Sequence, residues 1–188
     1  MSTVFSRAAL FSVALLLATA GLGLWIGDLH GQTDRAVLRL GTVHRLSGIL
    51  AALVVVLVNS MSVTYFIGTG RWCREVAETY RLPADLVDRS KRLKRAAFPW
   101  AMLGMCAVVA AVALGGAADP ASGRPGTEHW VNWHLVGSLV CVAVIGWCFQ
   151  TQVGVIRGQQ RLIDDVLEQV GEIRRSRGLD SEAVTANS

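Results

Sequence analysis

Four stretches of this chain contain no Asp, Glu, Lys, Arg or His: Ala8 to Gly27, Leu46 to Gly70, Ala96 to Ala118 and Leu135 to Ile156, of 20, 25, 23 and 22 residues. An α-helix rises ~1.5 Å per residue, so each run is long enough to cross a hydrocarbon layer of ~30 Å. Such a layer gives backbone N–H and C=O groups no water to bond, and a helix satisfies them within one segment. The chain is 52% hydrophobic and only 17% charged, with a mean hydropathy of +0.43, and its apolar residues are gathered in these blocks. A soluble enzyme does not fit that distribution. The sequence predicts an all-α fold, a polytopic membrane four-helix bundle, and any chemistry must come from the few polar residues at the edges of the runs.

A net charge of +4 and a pI of 9.2 would suggest a nucleic-acid partner in a soluble domain. Here membrane topology explains the basic residues instead, and no nucleic-acid partner is read from them. Between the second and third runs lie eight Lys or Arg: Arg71, Arg74, Arg81, Arg89, Lys91, Arg92, Lys94 and Arg95. With both termini inside, 14 fall inside and 4 outside (Arg35, Arg39, Arg45 and Arg124). The positive-inside bias then predicts cytoplasmic N- and C-termini in a cell inner membrane, with the basic loop against anionic lipid headgroups.

The spans are expected at about 8–27, 44–70, 98–118 and 132–156, within a domain of 1–178 followed by a disordered tail, 179–188. Arg7, the apolar stretch behind it and Ala18-Thr19-Ala20 imitate a signal peptide with a small-residue cleavage site. Apolar sequence nevertheless continues through Ile26, so a retained membrane helix is expected. Trp72, Val76 and Tyr80 recur at helical spacing and carry the second helix beyond the membrane. Pro83 marks a break, and Asp85 to Arg95 reads as a separate basic helix leading to Pro99 in the first turn of the third span. Leu162, Val166, Val170 and Ile173 form a stripe on an extension of the fourth helix that could serve a membrane-protein partner or a homodimer.

The two halves are weakly alike. Each has an outgoing helix, an Asp soon after it (Asp28, Asp119), a His opening the returning helix (His44, His134) and a Gly one turn later (Gly48, Gly137). Asp to His is 16 residues in one half and 15 in the other. Two tandem helical hairpins related by an axis along the membrane normal would have this pattern.

All four histidines, His30, His44, His129 and His134, fall on the outer side in this topology. His44 and His134 open two returning helices, where pseudo-symmetry aims both imidazoles at the bundle axis. Two neutral imidazoles from different helices can hold a haem iron axially, and an apolar cavity between helices suits the macrocycle. The plain alternative is that they sit among headgroups as Trp and Tyr do. A second site is also conceivable: His30 and His129, with Asp28 or Glu128, contain enough ligands for Zn or Cu, although the spacing matches no established motif.

His44-Arg45-Leu46-Ser47-Gly48 resembles the His-Arg-x-x-Gly opening of the second helix in each half of haem A synthase, and Trp133-His134-Leu135 resembles that family's matching His. The likeness spans roughly residues 8–156 in architecture and two short motifs in sequence. It implies that His44 and His134 are the axial pair of a b-type haem near the outer face. The family's Glu three residues before the first His is Gly41 here, and its outer-loop cysteine pair is missing. Those departures remove the machinery for oxidising a haem methyl, and leave electron transfer or respiratory-complex assembly as the implied role.

Other polar residues read more plainly. Asn59, Ser60, Ser62, Thr64, Gln150, Thr151 and Gln152 lie within spans; Asn59 is ~22 Å inward of His44 along its helix. Interhelical hydrogen bonds account for them, with a second polar site as the alternative. Cys73, Cys106, Cys141 and Cys148 include none in an outer loop, so no disulfide framework is expected. No carboxylate or Lys lies inside a span, which argues against ion pumping. No set of catalytic residues stands out. The competing functional class is a non-catalytic membrane scaffold, working through the basic loop and the C-terminal helix.

Overall fold

A computed structural model describes residues 1–179, within which the chain forms four α-helices and two short 3-10 turns. The helices are α1 (Ser2–Ile26), α2 (Arg35–Tyr80), α3 (Ala84–Ala118) and α4 (Val131–Ser176). All four contain segments long and apolar enough to cross a membrane. The tail expected to be disordered lies, apart from Leu179, outside the described residues.

Around the bundle the order is α1, α2, α3, α4, so α2 and α4 face each other across a diagonal. Each hairpin pairs antiparallel neighbours, and their loops emerge at one shared end. Side chains such as Val55, Val58, Ile145 and Ile156 fill the interior, and Phe5 meets Phe149 edge-on with ring centres 6.0 Å apart. The outward face is also apolar: Leu10, Leu53, Val109 and Trp147 are exposed. A contiguous apolar exterior of that kind suits lipid rather than water.

Helix α2 begins nine residues earlier than the expected span, at Arg35, because Asp34 caps it. The Asp34 carboxylate accepts from the Ala36 N–H at 2.8 Å, supplying one of the bonds a first helical turn lacks. Val37, Leu38 and Leu40, which precede the expected span, are therefore helical. At its other end α2 stops as expected before Pro83, with Arg81 in the left-handed conformation (φ 56°) and the Leu82 N–H returning to the Ala77 carbonyl.

The separate basic helix expected over Asp85 to Arg95 is instead the first part of α3, which runs unbroken through Pro99. Proline removes one N–H and crowds the carbonyl four residues back, here that of Arg95. The uninterrupted α3 changes the architecture, because three helices rather than two project beyond the apolar runs. At ~1.5 Å per residue, α2 and α4, of 46 residues each, are about 69 Å long.

A second core holds this extension together. Leu86, Leu162 and Val166 are buried, packed by Trp72, Val76, Leu82, Leu93 and Val170. Of the α4 stripe, Leu162 and Val166 are thus buried within the chain itself, and Val170 packs against them partly buried. Gln159, fully buried, donates to Thr69 Oγ1 and Ser90 Oγ at 3.2 Å each and so joins all three helices. Burial pushes the neighbouring Cys73 thiol up from its ordinary pKa, and a hydrogen bond with Ser90 offsets part of that rise. Helix α4 ends at Ser176, and just beyond it Gly178, with a φ of 71°, lets the Leu179 N–H reach back to the Arg174 carbonyl at 3.1 Å.

Candidate functional site

The helix-opening histidines come together. His44, on α2, and His134, on α4, have ring centres 6.2 Å apart with 69° between their planes. Both rings are half-buried between diagonal helices at the loop end of the bundle.

Each ring is held by one nitrogen. His44 Nδ1 donates to the Thr19 carbonyl of α1 at 3.1 Å. A carbonyl can only accept, so the proton sits on Nδ1 and Nε2 keeps its lone pair. His134 Nδ1 lies 3.0 Å from Ser138 Oγ, one turn further along α4. A hydroxyl accepts as well as donates, so the same tautomer is available to His134. Among the described residues neither Nε2 has a hydrogen-bond partner. Two imidazoles oriented through Nδ1, with Nε2 free, match the usual outer-shell support of metal-bound histidine.

Glycines on the two other helices make room for the rings. A β-carbon at Gly23 of α1 would meet His44 Cε1 at 2.7 Å, and one at Gly115 of α3 would meet His134 Cε1 at 3.1 Å. Each imidazole therefore lies against the backbone of the helix that precedes its own. Gly48 and Gly137, the glycines repeated in sequence, do not face the rings. Gly137 is where Leu114 packs, and Gly48 lies near the Thr19 methyl group. The nearly equal separations of Gly23 from His44 and of Gly115 from His134 were the available signal, missed because the partners sit on different helices. Ser138 was also missed, although its offset of four residues from His134 puts both on one helix face.

Two contacts tie the loops above this site. His30 Nδ1 lies 2.6 Å from Asp28 Oδ1, and its Nε2 lies 2.8 Å from Oγ1 of the buried Thr127. Arg45 Nη1 donates to Asp119 Oδ1 at 3.2 Å, linking α2 to the start of the α3–α4 loop. The two aspartates behave alike, since Asp28 accepts from the His30 N–H and Asp119 from the Ala121 N–H, each at 3.0 Å and each two residues on. The His30 N–H, followed by its ring, holds the Asp28 carboxyl below the usual carboxylate range.

His30 and His129 are not drawn into one cluster. Both nitrogens of His30 have partners, while the exposed His129 has only Glu128 nearby, at 3.8 Å. Among the described residues, no three His, Cys, Asp or Glu side chains are gathered as a metal would require.

A haem needs two nitrogen donors on one axis. With iron–nitrogen bonds of ~2 Å and ~1.1 Å from a ring nitrogen to the ring centre, two axial imidazoles have centres ~6.2 Å apart. The pair, at 6.2 Å between ring centres, meets that separation. The donor type, the ring separation and the Nδ1 support are those of a pair of nitrogen donors able to share one iron. Comparison with family models, curated proteins and solved structures yields no match to this chain.

Proposed function

We propose that this chain is an integral protein of the inner (cytoplasmic) membrane, with cytoplasmic termini, in which His44 and His134 hold one b-type haem for electron transfer or respiratory-complex assembly. The convergence of the two imidazoles from diagonal helices, each anchored through Nδ1, carries this reading. A bound haem would supply one-electron chemistry. Thr19 and Ser138 orient the donors, Gly23 and Gly115 admit their rings, and the Arg45–Asp119 and His30–Thr127 contacts close the loop end above them. The excess of Lys and Arg at the opposite end supports the orientation.

A visible spectrum of the purified protein tests the proposal. A Soret band is expected, and it should be lost in both His44→Ala and His134→Ala while helicity is retained. A colourless, folded preparation that takes up no added haem would overturn it. That result would favour the scaffold reading, which draws support from the exposed Arg71, Arg74, Lys91, Arg92 and Arg95 on the three-helix extension.

A further inference from the structure

Arg7 of α1 and Arg157 of α4 are the charged residues that border the apolar runs Ala8 to Gly27 and Leu135 to Ile156 at the end away from the histidines. They line one groove of about 290 Å³ together with Ser2, Thr3, Ser6 and Leu10. Both arginines are exposed, and among the described residues neither enters an ion pair. The helices are fixed beside each other at this level by the Phe5–Phe149 contact. Gln160 adds a second tie: with its amide oriented to suit its neighbours, it donates to Ser2 Oγ at 2.9 Å and accepts from the Met1 amino group at 2.9 Å and the Ser2 N–H at 3.3 Å.

Two guanidiniums from neighbouring helices thus share a groove without a carboxylate to balance them. Their mutual repulsion falls when an anion lies between them, and guanidinium forks and serine hydroxyls are suitable donors to phosphate oxygens. The groove also has an apolar continuation. Leu10 is 70% exposed at its edge and Leu17, two turns further along the same face of α1, is 54% exposed. A soluble anion would leave that surface bare, whereas a molecule with a charged head and acyl chains covers both parts. Basic pockets between helices at the cytoplasmic side of membranes bind headgroups of this kind.

We propose that the Arg7–Arg157 groove is a binding site for the headgroup of an anionic phospholipid, whose chains lie along Leu10 and Leu17. The site is separate from the histidine pair, so a variant carrying both His44→Ala and His134→Ala should bind lipid as the unaltered chain does.

Native mass spectrometry of the full chain in detergent, with phosphatidylglycerol or phosphatidylcholine added in equal amount, reads the occupancy. Phosphatidylglycerol adducts should exceed those of phosphatidylcholine. At ~1 kcal/mol per basic residue, Arg7→Gln or Arg157→Gln should weaken binding about fivefold and the pair together about thirtyfold. Arg7→Lys with Arg157→Lys keeps both charges and should keep the preference. Inorganic phosphate at the same concentration should leave no adduct. Arg92→Gln with Arg95→Gln removes equal charge from the extension and should cost much less than the groove pair. Equal losses from the two pairs would indicate diffuse attraction and overturn the site. So would unchanged binding in the groove pair, equal phosphatidylcholine adducts, or a phosphate adduct that matches phosphatidylglycerol.

Discussion

Gly23 of α1 lies directly against the imidazole of His44 on α2, so close that a β-carbon would come within 2.7 Å of the ring. No flexible chain end can give way there, because the ring is pinned at Nδ1 by the Thr19 carbonyl of the same helix. Gly23→Ala should therefore turn His44 off its axis. Alanine is favoured over glycine in a helix interior by ~1 kcal/mol, so α1 itself should not be weakened. The expected result is a Soret band per protein reduced several-fold with helicity unchanged. Gly115→Ala, where the clearance to His134 is 3.1 Å, should show the same effect more weakly. Full haem occupancy in Gly23→Ala would show that the glycine is not needed by the ring.

Ser138 supports the other imidazole. Ser138→Ala removes the partner of His134 Nδ1 and leaves the ring free to turn. Loss of such outer-shell support costs ~10–100-fold in metal affinity. A haem titration followed at the Soret band should place Ser138→Ala at the lower end of that range, since the ring keeps its packing against Gly115. Ser138→Thr, which retains a hydroxyl, should restore much of the affinity.

Deeper in the bundle, Gln152 Nε2 donates to Asn59 Oδ1 at 2.9 Å, and Asn59 Nδ2 donates to the Val55 carbonyl at 2.8 Å. Gln152 Oε1 is buried with no partner. The two truncations should differ for that reason. Asn59→Ala leaves the whole Gln152 amide unpaired and should cost ~1–3 kcal/mol. Gln152→Leu removes the unpaired Gln152 oxygen but leaves Asn59 Oδ1 without its donor, so the number of unpaired buried oxygens is unchanged and the cost should be nearer the ~0.6 kcal/mol typical of interhelical bonds in membranes. Reversible unfolding in mixed micelles measures both; a larger loss for Gln152→Leu would contradict this assignment.

The loop end should respond to acid through Asp28. Its folded pKa is lowered by the His30 N–H and ring, so its contribution is present above the unfolded value and is lost as pH falls through the folded one. Amide exchange of the α1–α2 loop should therefore accelerate only below the ordinary carboxylate range. Asp28→Asn should already exchange quickly at neutral pH and show no further acid step. Asp28 is exposed, so the effect should remain local to the loop rather than lower the stability of the whole bundle.

Much of this architecture is legible in one dimension. The four uncharged runs correspond to four helices, and the Trp72, Val76 and Leu162, Val166 periodicities correspond to real extensions. Where the reading missed, a local signal lost to context. Asp34 is a capping residue, but the run of uncharged residues that marks the span begins well after it. Pro99 suggests a helix start, where proline usually stands, yet α3 continues through it with the proline on its exposed face. The apolar stripe at Leu162 and Val166 is legible as such, but its packing against Leu86 and Leu93 is not, because no local signal joins the basic segment to α3.

The sequence alone determined that this chain is built of four apolar helices and that two histidines open the returning ones, since both properties depend on run length and local spacing. Tertiary structure decided whether those histidines meet. Their separation depends on the relative depth and rotation of α2 and α4, helices far apart in the chain, and a turn of one residue on either would rotate an imidazole about 100° around its helix. Only the packing of α1 and α3, with glycines placed where the rings fall, brings the two rings within 6.2 Å of each other.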